Sequence, residues 1–132
     1  MNAGYLVLAG VLLAGPAVSS DAIQQMFDEY RQQGVTTMNA QAGKALWERE
    51  FPNKGGGQLR SCTDCHGSRP ENPGKHVRTG KPIEPMAVSA NGKRFSDPGK
   101  IRKWFKRNCK WTLGRECSAQ EQADILVFLS SQ

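Results

Sequence analysis

The sequence predicts a small all-α domain, and three features carry that expectation. Four segments place their apolar side chains at helical spacing, while Gly67 to Asn91, rich in glycine and proline, has almost none of that periodicity. Between the second helical segment and this irregular stretch stands Cys62-Thr63-Asp64-Cys65-His66. Two cysteines separated by two residues, with a histidine directly after, form the signature for covalent attachment of a c-type haem. Each thiol can add to one vinyl group of the same porphyrin, which leaves His66 beneath the iron as its proximal ligand through a neutral ring nitrogen. The expected architecture is therefore a set of helices around one covalently bound haem c, with a long irregular loop on one edge.

Two other uses of the motif fit less well. A thioredoxin-like pair needs a strand before it and a helix after it, whereas Gly55-Gly56-Gly57 precedes and Pro70 and Pro73 follow. A zinc site could recruit His76, Cys109 or Cys117, but zinc takes its ligands from spaced pairs, and His66 directly beside Cys65 is badly placed for the same ion.

At 132 residues the chain allows one domain. Residues 1–20 carry no charged side chain, run apolar from Tyr5 to Ala14 and end in Ala17-Val18-Ser19-Ser20, so they read as a cleaved secretory signal ahead of a cytochrome c domain over 21–132. The apolar run is short for a bilayer span, so a cleaved signal is expected over an uncleaved anchor, and after cleavage the chain is not expected to span a membrane. Four cysteines fit export to the periplasm, two for haem and two for a disulfide. The net charge of +6 favours docking on acidic protein surfaces or anionic head groups; nucleic acid is not expected as a partner.

The first helix starts with Asp21 as N-cap, buries Ile23, Met26, Phe27 and Tyr30, and ends at Gly34. Asn39 can cap the second, in which Ala42, Ala45, Leu46 and Trp47 form the apolar face and Gly43 lets another helix come close; Pro52 marks its end. A helix just before Cys-x-x-Cys-His is the arrangement expected of c-type cytochromes. In the long loop, Arg78, Thr79 and Lys81 are candidates to bond the haem propionates, while His76 and Met86 are both candidate sixth ligands by analogy with His/His and His/Met cytochromes.

Asp97-Pro98 opens the third long helix, a cap followed by proline at the first helical position. Ile101, Trp104, Phe105 and Asn108 share one inward stripe, and an inward amide must find a partner or cost about 1 to 3 kcal/mol. That partner is either the iron or nearby backbone at the helix end. Lys100, Lys103, Arg107 and Lys110 line the opposite face as a basic strip suited to docking. Cys109 and Cys117 then close a short loop, and a disulfide between them would contribute roughly 2 to 3 kcal/mol. Ser118 and Glu121 form a capping box for the last helix, which buries Ile125, Leu126, Phe128 and Leu129 and packs against the Gly43 helix.

The run Glu84 to Pro98, followed by Lys103-Trp-Phe-Lys-Arg-Asn-Cys109, Leu113-Gly-Arg-Glu-Cys117 and Ala123-Asp-Ile-Leu126, resembles the SHP-type monohaem cytochromes c, a family long labelled a domain of unknown function. The resemblance covers nearly all of the chain after the signal. It implies a class I cytochrome c-like fold whose oxidised iron is bound by histidine and asparagine, here His66 and Asn108. It further implies that the asparagine detaches on reduction, opening a ferrous site for oxygen, nitric oxide or similar small ligands, with the Cys109–Cys117 disulfide close by. A dihaem cytochrome c and a membrane cytochrome b are the redox partners it suggests. Met86 stays the rival distal ligand, and with it an ordinary His/Met electron carrier. A haem enzyme acting on nitric oxide and oxygen is the third reading, but no dedicated acid or base is in evidence beyond His76, so a carrier and small-ligand binder is expected rather than an enzyme.

Overall fold

The computed structural model describes residues 20–52 and 56–132. Residues 1–19, where the secretory signal is expected, lie outside the described residues. The chain forms helices α1 (Asp21–Gln32), α2 (Ala40–Glu48), α3 (Thr63–His66), α4 (Pro98–Thr112) and α5 (Ala119–Ser130). Two antiparallel two-residue ladders join them: β1 (Phe51–Pro52) with β2 (Leu59–Arg60), and β3 (Gly74–Lys75) with β4 (Pro82–Ile83).

Most helix starts follow the local signals. Asn39 accepts from the N–H groups of Gln41 and Ala42, Asp97 from that of Lys100 with Pro98 at the first helical turn, and Ser118 and Glu121 form a reciprocal capping box. The start of α1 differs from expectation. Ser20, not Asp21, is its N-cap: the Ser20 hydroxyl accepts from Ile23 N–H at 3.3 Å and donates to the Phe95 carbonyl at 2.9 Å, leaving Asp21 as a first-turn acid that favours the helix dipole. The end of α2 also moves, to Glu48, because Phe51 and Pro52 pair with β2.

The core has two parts. Ile23, Met26 and Tyr30 of α1, Ile101 of α4 and Leu126 of α5 form one, and Trp47 of α2 packs with Ile125, Phe128 and Leu129 of α5 in the other. The crossing of α2 and α5 depends on Gly43, where a Cβ would stand 1.9 Å from the Asp124 carbonyl oxygen. Asp124 also turns its buried carboxylate onto the N–H of Asn39 at 2.7 Å, so α5 helps hold the residue that caps α2. This crossing places Trp47, the residue that α2 delivers to the site.

Candidate functional site

Cys62, Cys65 and His66 stand at i, i+3 and i+4 of one helical turn, which puts two sulfurs and an imidazole on one face. Ser61 and Asp64 organise that turn. The Asp64 carboxylate accepts from Ser61 N–H at 2.9 Å and from the Ser61 hydroxyl at 3.0 Å, while His66 N–H donates to the Cys62 carbonyl at 3.1 Å. Gly74 lies directly on the turn: a Cβ there would come within 2.3 Å of the Cys65 carbonyl oxygen, so only glycine lets β3 approach so closely.

Trp47 backs the histidine. Its ring centroid is 5.2 Å from that of His66, and its indole N–H donates to the Gly67 carbonyl at 3.1 Å. Phe128 meets the other edge of Trp47 at 6.3 Å, tying the pair to the α2–α5 core. Burial pushes the His66 imidazole down to about 4, with the charge of Arg94 adding to the effect, so the ring is neutral near pH 7 and keeps a lone pair. Burial also pushes the Cys62 thiol up to about 11, with the Asp64 carboxylate adding.

The helix expected to carry the distal ligand divides its stripe. Ile101 is buried and Phe105 half-buried, whereas Trp104 is 47 % exposed and Asn108, one turn on, is exposed. The inward stripe of the sequence reading is thus two faces, one on the protein core and one, with Trp104 and Asn108, left open. Helix α4 also continues past Asn108 through Thr112, so Lys110 and Trp111 are helical rather than loop. Cys109 is buried and bonded to Cys117. Arg60 of β2 lies over the Trp111 ring at 4.2 Å and donates to the Trp111 carbonyl at 3.0 Å, joining the end of α4 to the strand that leads into Cys62.

The other candidates are spread along the loop. Met86 is half-buried against the cluster of Trp47 and Phe128, which Cys62 also touches, and its N–H donates to the Pro70 carbonyl at 2.8 Å. His76 accepts at Nδ1 from the N–H groups of Arg78 and Thr79, both at 3.2 Å, and so serves the turn between β3 and β4. Arg78, Thr79 and Lys81 are exposed on that turn. Ser61, Gly74, Arg60 and Arg94 were not singled out from sequence. Ser61-x-x-Asp64 was the one readable signal among them, since it has the spacing of a helix-start cap.

The residues fit a covalently attached porphyrin. Cys62 and Cys65 are unbridged beside the half-buried His66, whose buried Nδ1 has no partner among the described residues. Large apolar side chains are exposed on the segments around the turn: Leu59 just before it, Val77 between β3 and β4, and Trp104 on α4.

A helical fold with Cys-x-x-Cys-His on a turn packed against an α2–α5 crossing defines the class as c-type cytochrome, with covalently bound haem c as the cofactor the class implies. A family model described as a domain of unknown function (DUF1924) matches residues 33–129. The chain is 38% identical over 131 residues to the cytochrome c-type protein SHP of Cereibacter sphaeroides, covering 97% of this chain and 98% of that one. It is also 37% identical over 90 residues to cytochrome c'' of Methylophilus methylotrophus, covering 68% of this chain and 62% of that one. Solved structures are similar too. Oxidised SHP, described as an oxygen-binding cytochrome c, superposes with a TM-score of 0.75 at 36% identity over 86% of this chain and 100% of its own. A solution structure of the Methylophilus methylotrophus cytochrome c'', reported for insights into haem-ligand detachment, gives 0.72 at 29% identity over 83% and 93%. The chain belongs to the SHP-type cytochromes c, with a class I cytochrome c-like fold.

Proposed function

We propose that this chain is an exported, periplasmic monohaem cytochrome that transfers electrons and, when reduced, exposes a position for oxygen, nitric oxide or a similar small ligand. One haem c is attached through Cys62 and Cys65, His66 is the proximal ligand, and Asn108 is a detachable distal ligand. Bound there, the haem supplies one-electron Fe(III)/Fe(II) exchange and a sixth coordination position.

The protein side of the account is specific. Trp47 holds the plane of the His66 ring, and burial keeps that ring neutral. Asn108 offers an amide oxygen, a hard and weak donor that ferric iron accepts and ferrous iron gives up more readily than it would a methionine sulfur. The observation that carries the reading is the open face of α4, where Asn108 stands with Trp104 beside a buried, disulfide-bonded Cys109. Met86 packs into the cluster that joins Trp47, which backs His66, to Phe105 of α4. Small-ligand binding is in keeping with the relative described as oxygen-binding. The redox partners are read as a dihaem cytochrome c and a membrane cytochrome b, met by the basic face of α4, which has no acidic residue from Pro98 to Thr112. Among the described residues no helix is long and apolar enough to cross a membrane.

Ferric spectra of the holoprotein test the ligand set. Asn108→Ala should change the low-spin ferric bands while Met86→Leu leaves them in place. A sulfur-to-iron charge-transfer band in the wild type that vanishes in Met86→Leu would refute the reading.

A further inference from the structure

Arg94 is half-buried, and the protein uses only part of its guanidinium. Its Nε donates to the Pro85 carbonyl at 2.7 Å and its Nη2 to the Glu84 carbonyl at 2.6 Å. Both acceptors are neutral, and among the described residues Nη1 has no partner and no carboxylate forms an ion pair with Arg94, the Glu84 carboxylate acting on it only through its charge. A guanidinium drawn partly out of water with no carboxylate bonded to it is costly, and one fixed by two carbonyls with a nitrogen to spare is preorganised for a carboxylate.

Its place in the fold says which carboxylate. The Glu84–Pro85 segment that Arg94 grips runs into Met86 and Ala87, whose N–H groups both bond the Pro70 carbonyl, four residues beyond His66. The next residue, Phe95, has φ +56°, packs against both core clusters and accepts from the Ser20 hydroxyl, so the backbone carrying Arg94 is fixed. By contrast Arg78 and Lys81 are exposed on a turn.

We propose that Arg94 binds a haem propionate through its uncommitted nitrogen while its other two donors lock the Glu84–Pro85 segment. The inference rests on the haem reading above and goes beyond it by assigning the anion-binding residue. It also moves that role from the Arg78–Lys81 turn to the segment before α4.

The test is made on the holoprotein, with covalent haem first verified from the alkaline pyridine spectrum. Arg94→Gln should retain the haem but raise the Fe(III):Fe(II) ratio at a fixed potential roughly ten-fold, the scale of one unit charge removed from a partly buried site. The midpoint potential should also gain pH dependence between about pH 5 and 8, as the released propionate titrates nearer neutrality. Arg94→Lys should stay close to wild type in both, and so should Arg78→Gln combined with Lys81→Gln. Wild-type behaviour in Arg94→Gln, equal shifts in the Gln and Lys variants, or a ten-fold shift in the turn double variant would each overturn the assignment. If Arg94→Gln does not accumulate, Arg94→Lys decides: wild-type potential supports the charge role, and a ten-fold shift refutes it. A wild-type protein without covalent haem would refute the parent reading first, and this one with it.

Discussion

His66 and Asn108 are held by different means. His66 sits on a turn fixed by the Ser61–Asp64 bonds, backed by Trp47, and pressed by β3 at Gly74, where no side chain would fit. Asn108 stands on the exposed face of α4. The N-terminal half of that helix is anchored by Ile101 in the core and by the Arg102–Glu29 ion pair, but its far end is tied by the Cys109–Cys117 bridge and the Arg60–Trp111 contact. Under the proposed ligand set this difference has a reason: a ligand that stays is gripped from several elements, whereas one that leaves needs a tether that fixes its neighbour and spares its own side chain.

The largest effect is expected on the proximal side. Gly43→Ala forces α2 away from α5, because the added Cβ meets the Asp124 carbonyl. It should cost about 3 kcal/mol in chemical denaturation and displace Trp47 from His66. A variant as stable as wild type would show that the crossing has slack. On the distal side, Cys109→Ser with Cys117→Ser should cost roughly 2 to 3 kcal/mol. It should leave haem attachment intact and alter only the distal-ligand bands of the ferric spectrum. Loss of attachment would erase the distinction between the two sides.

Arg60→Gln removes a cation–ring contact and a hydrogen bond, for about 1 kcal/mol of stability, and should speed small-ligand binding to the ferrous protein. An unchanged rate would mean that the end of α4 is held by the disulfide alone. The smallest effect belongs to Glu121, which pairs with Arg115 of the disulfide loop; hydrogen bonds from Arg115 hold its carboxyl below the usual range. The lowered value means that this contribution is present above the unfolded glutamate pKa near 4.3 and is lost as pH falls through the folded value. The pair is partly exposed, so solvent screening keeps it under about 1 kcal/mol. Glu121→Gln should flatten the acid limb of a stability-versus-pH curve by that amount, and an unaltered limb would remove the pair from the account.

What could be read from the chain is what is local. Asn39, Asp97-Pro98 and Ser118-x-x-Glu121 mark helix starts through bonds to backbone two or three residues away, and Gly43 stands out because an apolar helix face otherwise has no use for glycine. Cys62, Cys65 and His66 are legible for the same reason, since their chemistry is fixed by spacing. Contacts across the chain leave no such trace: Gly74 against Cys65, Arg60 against Trp111, and Ser20 against Phe95 become visible only once the fold brings them together. Periodicity placed Trp104 and Asn108 beside Ile101 and Phe105, but it reports which residues share a face and not what covers it. Arg94 looked like one cation among eighteen until its two carbonyl partners were seen.

The central claim is that the proximal ligand is permanent and the distal one detaches. Carbon monoxide titration of the reduced holoprotein, followed optically in wild type and Asn108→Ala, tests it most directly. The account predicts that both bind carbon monoxide to one equivalent per haem while His66 remains bound. A reduced wild type that stays six-coordinate and refuses carbon monoxide, with binding gained only in Met86→Leu, would contradict it.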